Sequence, residues 1–151
     1  MRLIVLLPAT GEELAQVDRL DPKGDFEGLL RRATRDEKPA VRAAATARLR
    51  SDPEFLERLA GMLDSGYADV ALSFVRDAEL TPAEKARLAR PALNALGRWV
   101  NSAPAPNFTT SDHLRRTRRF GDELFRMLPE QFAGHGVDFT ELQAWYREKM
   151  Q

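Results

Sequence analysis

The sequence contains no cysteine and only two histidines among its 151 residues. The missing thiols exclude disulfide bonds, thiolate zinc sites and cysteine nucleophiles. The 23 basic and 23 acidic residues cancel to a formal net charge of +0, so no general field attracts nucleic acid or anionic lipid. Long hydrophobic runs are also missing. The apolar stretch near the N-terminus, residues 3–7, is far too short to span a membrane.

Residues 3–7 are also shorter than the apolar core of about 7–15 residues that a signal peptide requires. We therefore interpret residues 1–10 as an irregular lead-in with a short buried segment, the only candidate strand in the chain. The alternative is the remnant of a transmembrane helix, which would make this chain a soluble domain of a longer, membrane-anchored protein. On the first interpretation we predict a cytoplasmic protein whose chain does not insert into a membrane.

The starts of several helices are marked by capping residues. Segments 10–13, 81–84 and 138–141 each place a threonine or aspartate three residues before a glutamate, which is the pattern of a capping box. Pro53 and Pro82 follow an aspartate and a threonine, and proline is well tolerated at the first position of a helix. These signals predict helices that begin close to each of these segments.

The apolar residues between these marks recur at helical spacing, so we predict an all-α chain. The predicted helices span residues 11–20, 25–35, 39–50, 53–64, 67–78, 82–101, 111–128 and 138–150. Proline and glycine predict loops near 101–110 and 129–137. No linker is long enough to divide the chain, so we expect one helical-repeat domain over residues 1–151.

Residues 36–63 contain a pattern that resembles a HEAT repeat. An acidic turn and a proline come before a Val-Arg pair, small residues and a leucine, and an Asp-Pro pair opens the next helix. These residues are Asp36, Pro39, Val41, Arg42, Ala43 to Ala45, Leu49, Asp52 and Pro53. Residues 67–96 resemble a second copy, in which Ala71 occupies the position of the arginine.

This resemblance implies a short right-handed α-solenoid of antiparallel helix pairs, of the HEAT or armadillo type. Proteins of this kind commonly bind other proteins or nucleic acids, and their repeats must stack to bury an apolar face. An irregular helical bundle is the alternative architecture.

No residue pattern in the sequence predicts a catalytic centre. His113 and His135 lie on different predicted elements, and neither belongs to a histidine motif with metal-ligand spacing. Phosphate-binding loops and nucleophile motifs are also missing from the sequence. We therefore predict a protein that is not an enzyme and has no catalytic residues, no metal site and no cofactor.

One polar stripe is the preferred candidate for binding a partner. Its residues, Arg87, Arg90, Asn94 and Arg98, fall within an arc of about 80° on helix 82–101. In a solenoid this helix would be the second of its pair and would face the concave surface. Arginines there suit an acidic peptide or a phosphate group. We predict that this partly basic concave face binds a peptide or protein partner; the alternative is an ordinary solvated face.

A second set of arginines lies on helix 111–128. It consists of Arg115, Arg118, Arg119 and Arg126, which cluster on one side of that helix. A helical-repeat protein that binds DNA or RNA could use such a ridge for phosphates, and this is the alternative function. Because the net charge is +0, we prefer to interpret the ridge as solvated surface.

Overall fold

The computed structural model describes residues 8–66 and 68–151, and every regular element within these ranges is helical. The described residues form eight α-helices and one turn of 3-10 helix at Pro106–Phe108. The α-helices are α1 (Gly11–Arg19), α2 (Phe26–Arg32), α3 (Pro39–Arg50), α4 (Phe55–Leu63), α5 (Ala68–Asp77), α6 (Pro82–Ser102), α7 (Ser111–Gln131) and α8 (Thr140–Lys149). The all-α prediction is confirmed, and the candidate strand at residues 3–7 lies outside the described residues.

Two of the three predicted capping boxes are present. At the start of α1 the Thr10 hydroxyl accepts a hydrogen bond from the Glu13 amide at 3.1 Å, and the Glu13 carboxylate accepts one from the Thr10 amide. Thr81 and Glu84 form the same arrangement at the start of α6. Both boxes depend only on residues three positions apart, which is why the sequence predicts them well.

The prediction of a third capping box, at Asp138, is wrong. The Asp138 carboxylate accepts from the amide of Thr140 at 2.9 Å, and α8 begins at Thr140. An aspartate can close this shorter turn with the amide two residues ahead. The helix therefore starts two residues later than predicted.

The end of α7 is also different from the prediction, because the helix continues through Pro129 to Gln131. A proline removes one backbone hydrogen bond but need not end a helix that other contacts hold. Here the side-chain amide of Gln131 donates to the carbonyls of Val75, on α5, and Ala78, the residue that follows α5, at 2.7 and 2.8 Å. These long-range bonds stabilise the last turn.

Backbone contacts group into two compact units, one up to Leu59 and one from Ala60, with the division inside α4. In the first unit α3 packs against both α1 and α2. Val17, Leu29 and Leu49 are fully buried there. The predicted single domain over residues 1–151 stays a prediction.

In the second unit α5 packs against both α6 and α7. Its fully buried large side chains include Leu72, Phe74, Leu88, Leu96, Leu124, Leu128 and Phe132. Trp99, Phe120, Phe125 and Tyr146 form a chain of ring contacts beside this core, with centroids 4.8 to 6.0 Å apart. None of the helices in the described residues has the length and hydropathy needed to cross a membrane.

Candidate functional site

The polar stripe predicted on α6 is exposed along its whole length. Its members are Arg87, Arg90, Asn94 and Arg98. Two of its guanidinium groups bind backbone carbonyls: Arg90 donates to Gly136 at 3.3 Å, and Arg98 donates to Leu63, the last residue of α4. These two arginines therefore stabilise neighbouring segments, and the stripe is less available to an anion than the sequence suggests.

The C-terminal part of this stripe forms one wall of a groove of about 680 Å³, which we call the α6/α8 groove. The residues that line it are Leu93, Asn94, Gly97, Arg98 and Asn101 on one side and Asp138, Glu141, Leu142 and Trp145 on the other. The Lys149 ammonium joins the two helices by donating to the carbonyls of Val100 and Asn101 at 2.7 and 2.9 Å.

Trp145 is the feature of the α6/α8 groove that sequence reasoning missed. This residue is 41% exposed, and Phe108 is the other large hydrophobic residue that is exposed in the described part of the chain. The periodicity of α8 contains a signal for this exposure. Phe139, Tyr146 and Met150 fall on the buried side, whereas Trp145 lies at the edge of that face.

The α6/α8 groove is lined by polar groups of both signs and by apolar side chains. Asp138 and Glu141 supply carboxylates, Arg98 a guanidinium group, and Leu93 and Leu142 are half-buried. Hydrogen bonds from the hydroxyl and the amide of Thr140 hold the pKa of Asp138 below its usual value, so this carboxyl is ionised at neutral pH. Such a mixture suits a peptide better than a purely apolar ligand.

The arginine ridge predicted on α7 also lines a groove, of about 790 Å³. We call this surface the arginine face; it consists of Ser111, Leu114, Arg115, Arg118, Arg119, Asp122, Glu123 and Arg126. The structure thus brings all four predicted ridge arginines to one surface.

The partners of these arginines differ. Arg118 donates to the carbonyl of Met150, and Arg115 lies 3.8 Å from Asp112 with both side chains more than 70% exposed. In the part of the chain that the structure describes, Arg119 and Arg126 have neither a hydrogen bond nor an ion pair. An exposed pair such as that of Arg115 contributes little free energy, so three guanidinium groups of the arginine face are available to a partner.

The two histidines lie in different surroundings. His113, on the first turn of α7, lines a cavity of about 430 Å³ together with Asp69 and Arg98. His135 lies between Gly134 and Gly136, which adopt φ values of +80° and +76° and reverse the chain before α8. Across residues 8–66 and 68–151, no three His, Asp or Glu side chains converge as a metal site requires.

Comparison of the chain with protein-family models, with curated proteins and with solved structures finds no match.

Proposed function

We propose that this protein is a non-enzymatic interaction module that binds a peptide, or an extended segment of a protein partner, in the α6/α8 groove. The observation that carries this proposal is the exposure of Trp145 on the wall of an open groove. Leaving an indole in water forgoes the free energy of burying one of the largest apolar side chains. Tryptophan is also enriched among the residues that dominate binding at protein interfaces.

The polar side chains that line the groove support a peptide in particular. Asn94 forms no side-chain hydrogen bond in the described structure, and an amide can both donate to and accept from a peptide backbone. The half-buried Leu93 and Leu142 offer apolar contacts beside it. We retain the short right-handed HEAT-like α-solenoid as the proposed architecture, with an irregular bundle as its alternative.

We predict that Trp145→Ala weakens peptide binding by about 30-fold, because a central tryptophan contributes about 2 kcal/mol or more to an interface. The measurement begins with selection of a random displayed peptide library on the immobilised protein. Fluorescence anisotropy of synthetic, labelled peptides from that selection then gives the dissociation constants for wild type and variant.

Phe108→Ala is the matched control, since Phe108 is an aromatic residue that is 83% exposed and does not line the α6/α8 groove. We expect this substitution to leave the affinity within about twofold of wild type, as is usual for side chains outside an interface. Selected peptides that bind Trp145→Ala as tightly as wild type would contradict the proposed function. A loss of affinity in Phe108→Ala as large as that in Trp145→Ala would also contradict it.

A further inference from the structure

The arginine face differs from the α6/α8 groove in being built on a single helix. Its eight residues occur at spacings of three, one, three, one and so on from Ser111 to Arg126. Residues at this spacing form two adjacent rows of side chains along the helix, and one helix packs against another along such rows. The rows extend over 15 residues, which at about 1.5 Å per residue is about 22 Å, the length of a four-turn helix.

Both acidic residues of the arginine face have partners inside the second unit. Asp122 accepts a hydrogen bond from the Tyr146 hydroxyl at 3.0 Å. Glu123 accepts one from the guanidinium group of Arg76, a residue only 6% exposed, at 3.3 Å. The charged side chains of the arginine face that remain available to bind a ligand are therefore mainly positive.

The three available arginines, Arg115, Arg119 and Arg126, lie within an arc of about 40° on α7. Along a helix they are separated by about 6 and 10.5 Å. Three carboxylates on a facing helix, the second four residues after the first and the third seven residues after the second, are separated by the same distances. A glutamate at such a site can accept two hydrogen bonds from a guanidinium group.

We propose that the arginine face binds an acidic amphipathic helix of a protein partner, with carboxylates opposite Arg115, Arg119 and Arg126. Leu114, half-buried in the same groove, takes an apolar residue of that helix. This surface is independent of the α6/α8 groove, so the two proposals stand or fall separately.

A nucleic acid fits the arginine face less well. Phosphates follow one another closely and uniformly along a strand, and some of them would lie near Asp122. The groove lining contains no aromatic side chain on which bases could stack. A peptide helix, by contrast, can place a neutral residue opposite Asp122.

The test uses a labelled synthetic helical peptide with glutamates at positions i, i+4 and i+11 and a leucine in the same rows. A peptide of the same composition in scrambled order and a short DNA duplex are the comparison ligands. We expect the ordered peptide to bind about tenfold more tightly than the scrambled one, as three exposed ion pairs allow. Binding is measured by anisotropy at two salt concentrations.

Charge exchange distinguishes direct pairing from a structural effect. Arg119→Glu with Arg126→Glu should remove binding of the ordered peptide and create binding of a peptide with lysines in place of its glutamates. The matched control is Arg116→Glu, an exposed arginine on α7 that does not line the groove. It should leave the affinity for the ordered peptide within about twofold, since the effect of an exposed charge weakens with distance through water and salt.

Three results would overturn the proposal: equal binding of ordered and scrambled peptides, equal damage from Arg116→Glu, or failure of the lysine peptide to bind the reversed variant. Tighter binding of the DNA duplex, with a steep loss of affinity as salt rises, would replace the acidic helix with the nucleic-acid alternative. Unchanged melting temperatures of the variants show that the fold is retained.

Discussion

Phe74→Ala is expected to lower the free energy of unfolding by about 3–5 kcal/mol. Phe74 is 1% exposed on α5, the helix that packs against both α6 and α7. Truncation removes a ring from the centre of the second unit, and the close packing of the surrounding helices prevents them from filling the space. Urea denaturation followed by far-UV circular dichroism measures the loss.

Leu59→Ala provides the corresponding test in the first unit. Its side chain is fully buried, so we expect a loss of about 2–5 kcal/mol. Leu93, on α6, is only half-buried and lines the α6/α8 groove. Because the hydrophobic contribution scales with buried area, Leu93→Ala should cost less than about 2 kcal/mol.

These variants also test the predicted single domain. If the chain unfolds as one domain, Phe74→Ala and Leu59→Ala shift the same cooperative transition. Separate transitions, each shifted by only one of the two substitutions, would contradict that prediction. Losses below about 0.5 kcal/mol for both would contradict the assignment of these residues to the core.

The sequence predicts the helices well because their signals are local. The capping boxes at Thr10 and Thr81 each involve residues three positions apart, and the apolar periodicity repeats every turn. The errors lie where distant contacts decide the outcome. The last turn of α7 persists beyond Pro129 because the Gln131 side chain reaches α5, 53 to 56 residues away along the chain.

The candidate sites were predictable only in part, for the same reason. Helical geometry places the arginines of α7 on one surface, and the structure agrees. That geometry cannot reveal that Arg98 binds the carbonyl of Leu63, or that Arg90 binds that of Gly136. Nor does the sequence of α8 alone specify that Trp145 faces a groove, since the opposite wall belongs to α6.

Gly121→Ala should destabilise the protein by about 2–3 kcal/mol, although alanine is the better helix former. A Cβ atom at Gly121, a buried position on α7, would lie 2.4 Å from the hydroxyl oxygen of Tyr146 and 2.6 Å from its Cζ. Tyr146 cannot easily move away. Its ring stacks on Phe125 at 4.8 Å, and its hydroxyl lies 3.0 Å from the Asp122 carboxylate.

The protonation state of Tyr146 adds to this rigidity. Burial, together with the hydrogen bond to Asp122, raises the pKa of the Tyr146 hydroxyl above its ordinary value. The hydroxyl therefore stays protonated and remains a donor across the pH range in which the protein would be studied. An added methyl group at Gly121 must then displace a stacked and hydrogen-bonded ring.

The decisive measurement repeats Gly121→Ala in a Tyr146→Ala background. With the ring removed, the clash disappears, and only the difference in helix propensity remains, so the same substitution should stabilise by about 0.5–1 kcal/mol. Gly61→Ala on α4 is the matched control: its added Cβ meets no atom within 4 Å, and it should be mildly stabilising in both backgrounds. The double-mutant cycle then gives a coupling of about 3 kcal/mol specific to the Gly121–Tyr146 contact. If Gly121→Ala destabilises the protein equally in both backgrounds, the close approach of Tyr146 on α8 to α7 is not the reason that position 121 requires a glycine.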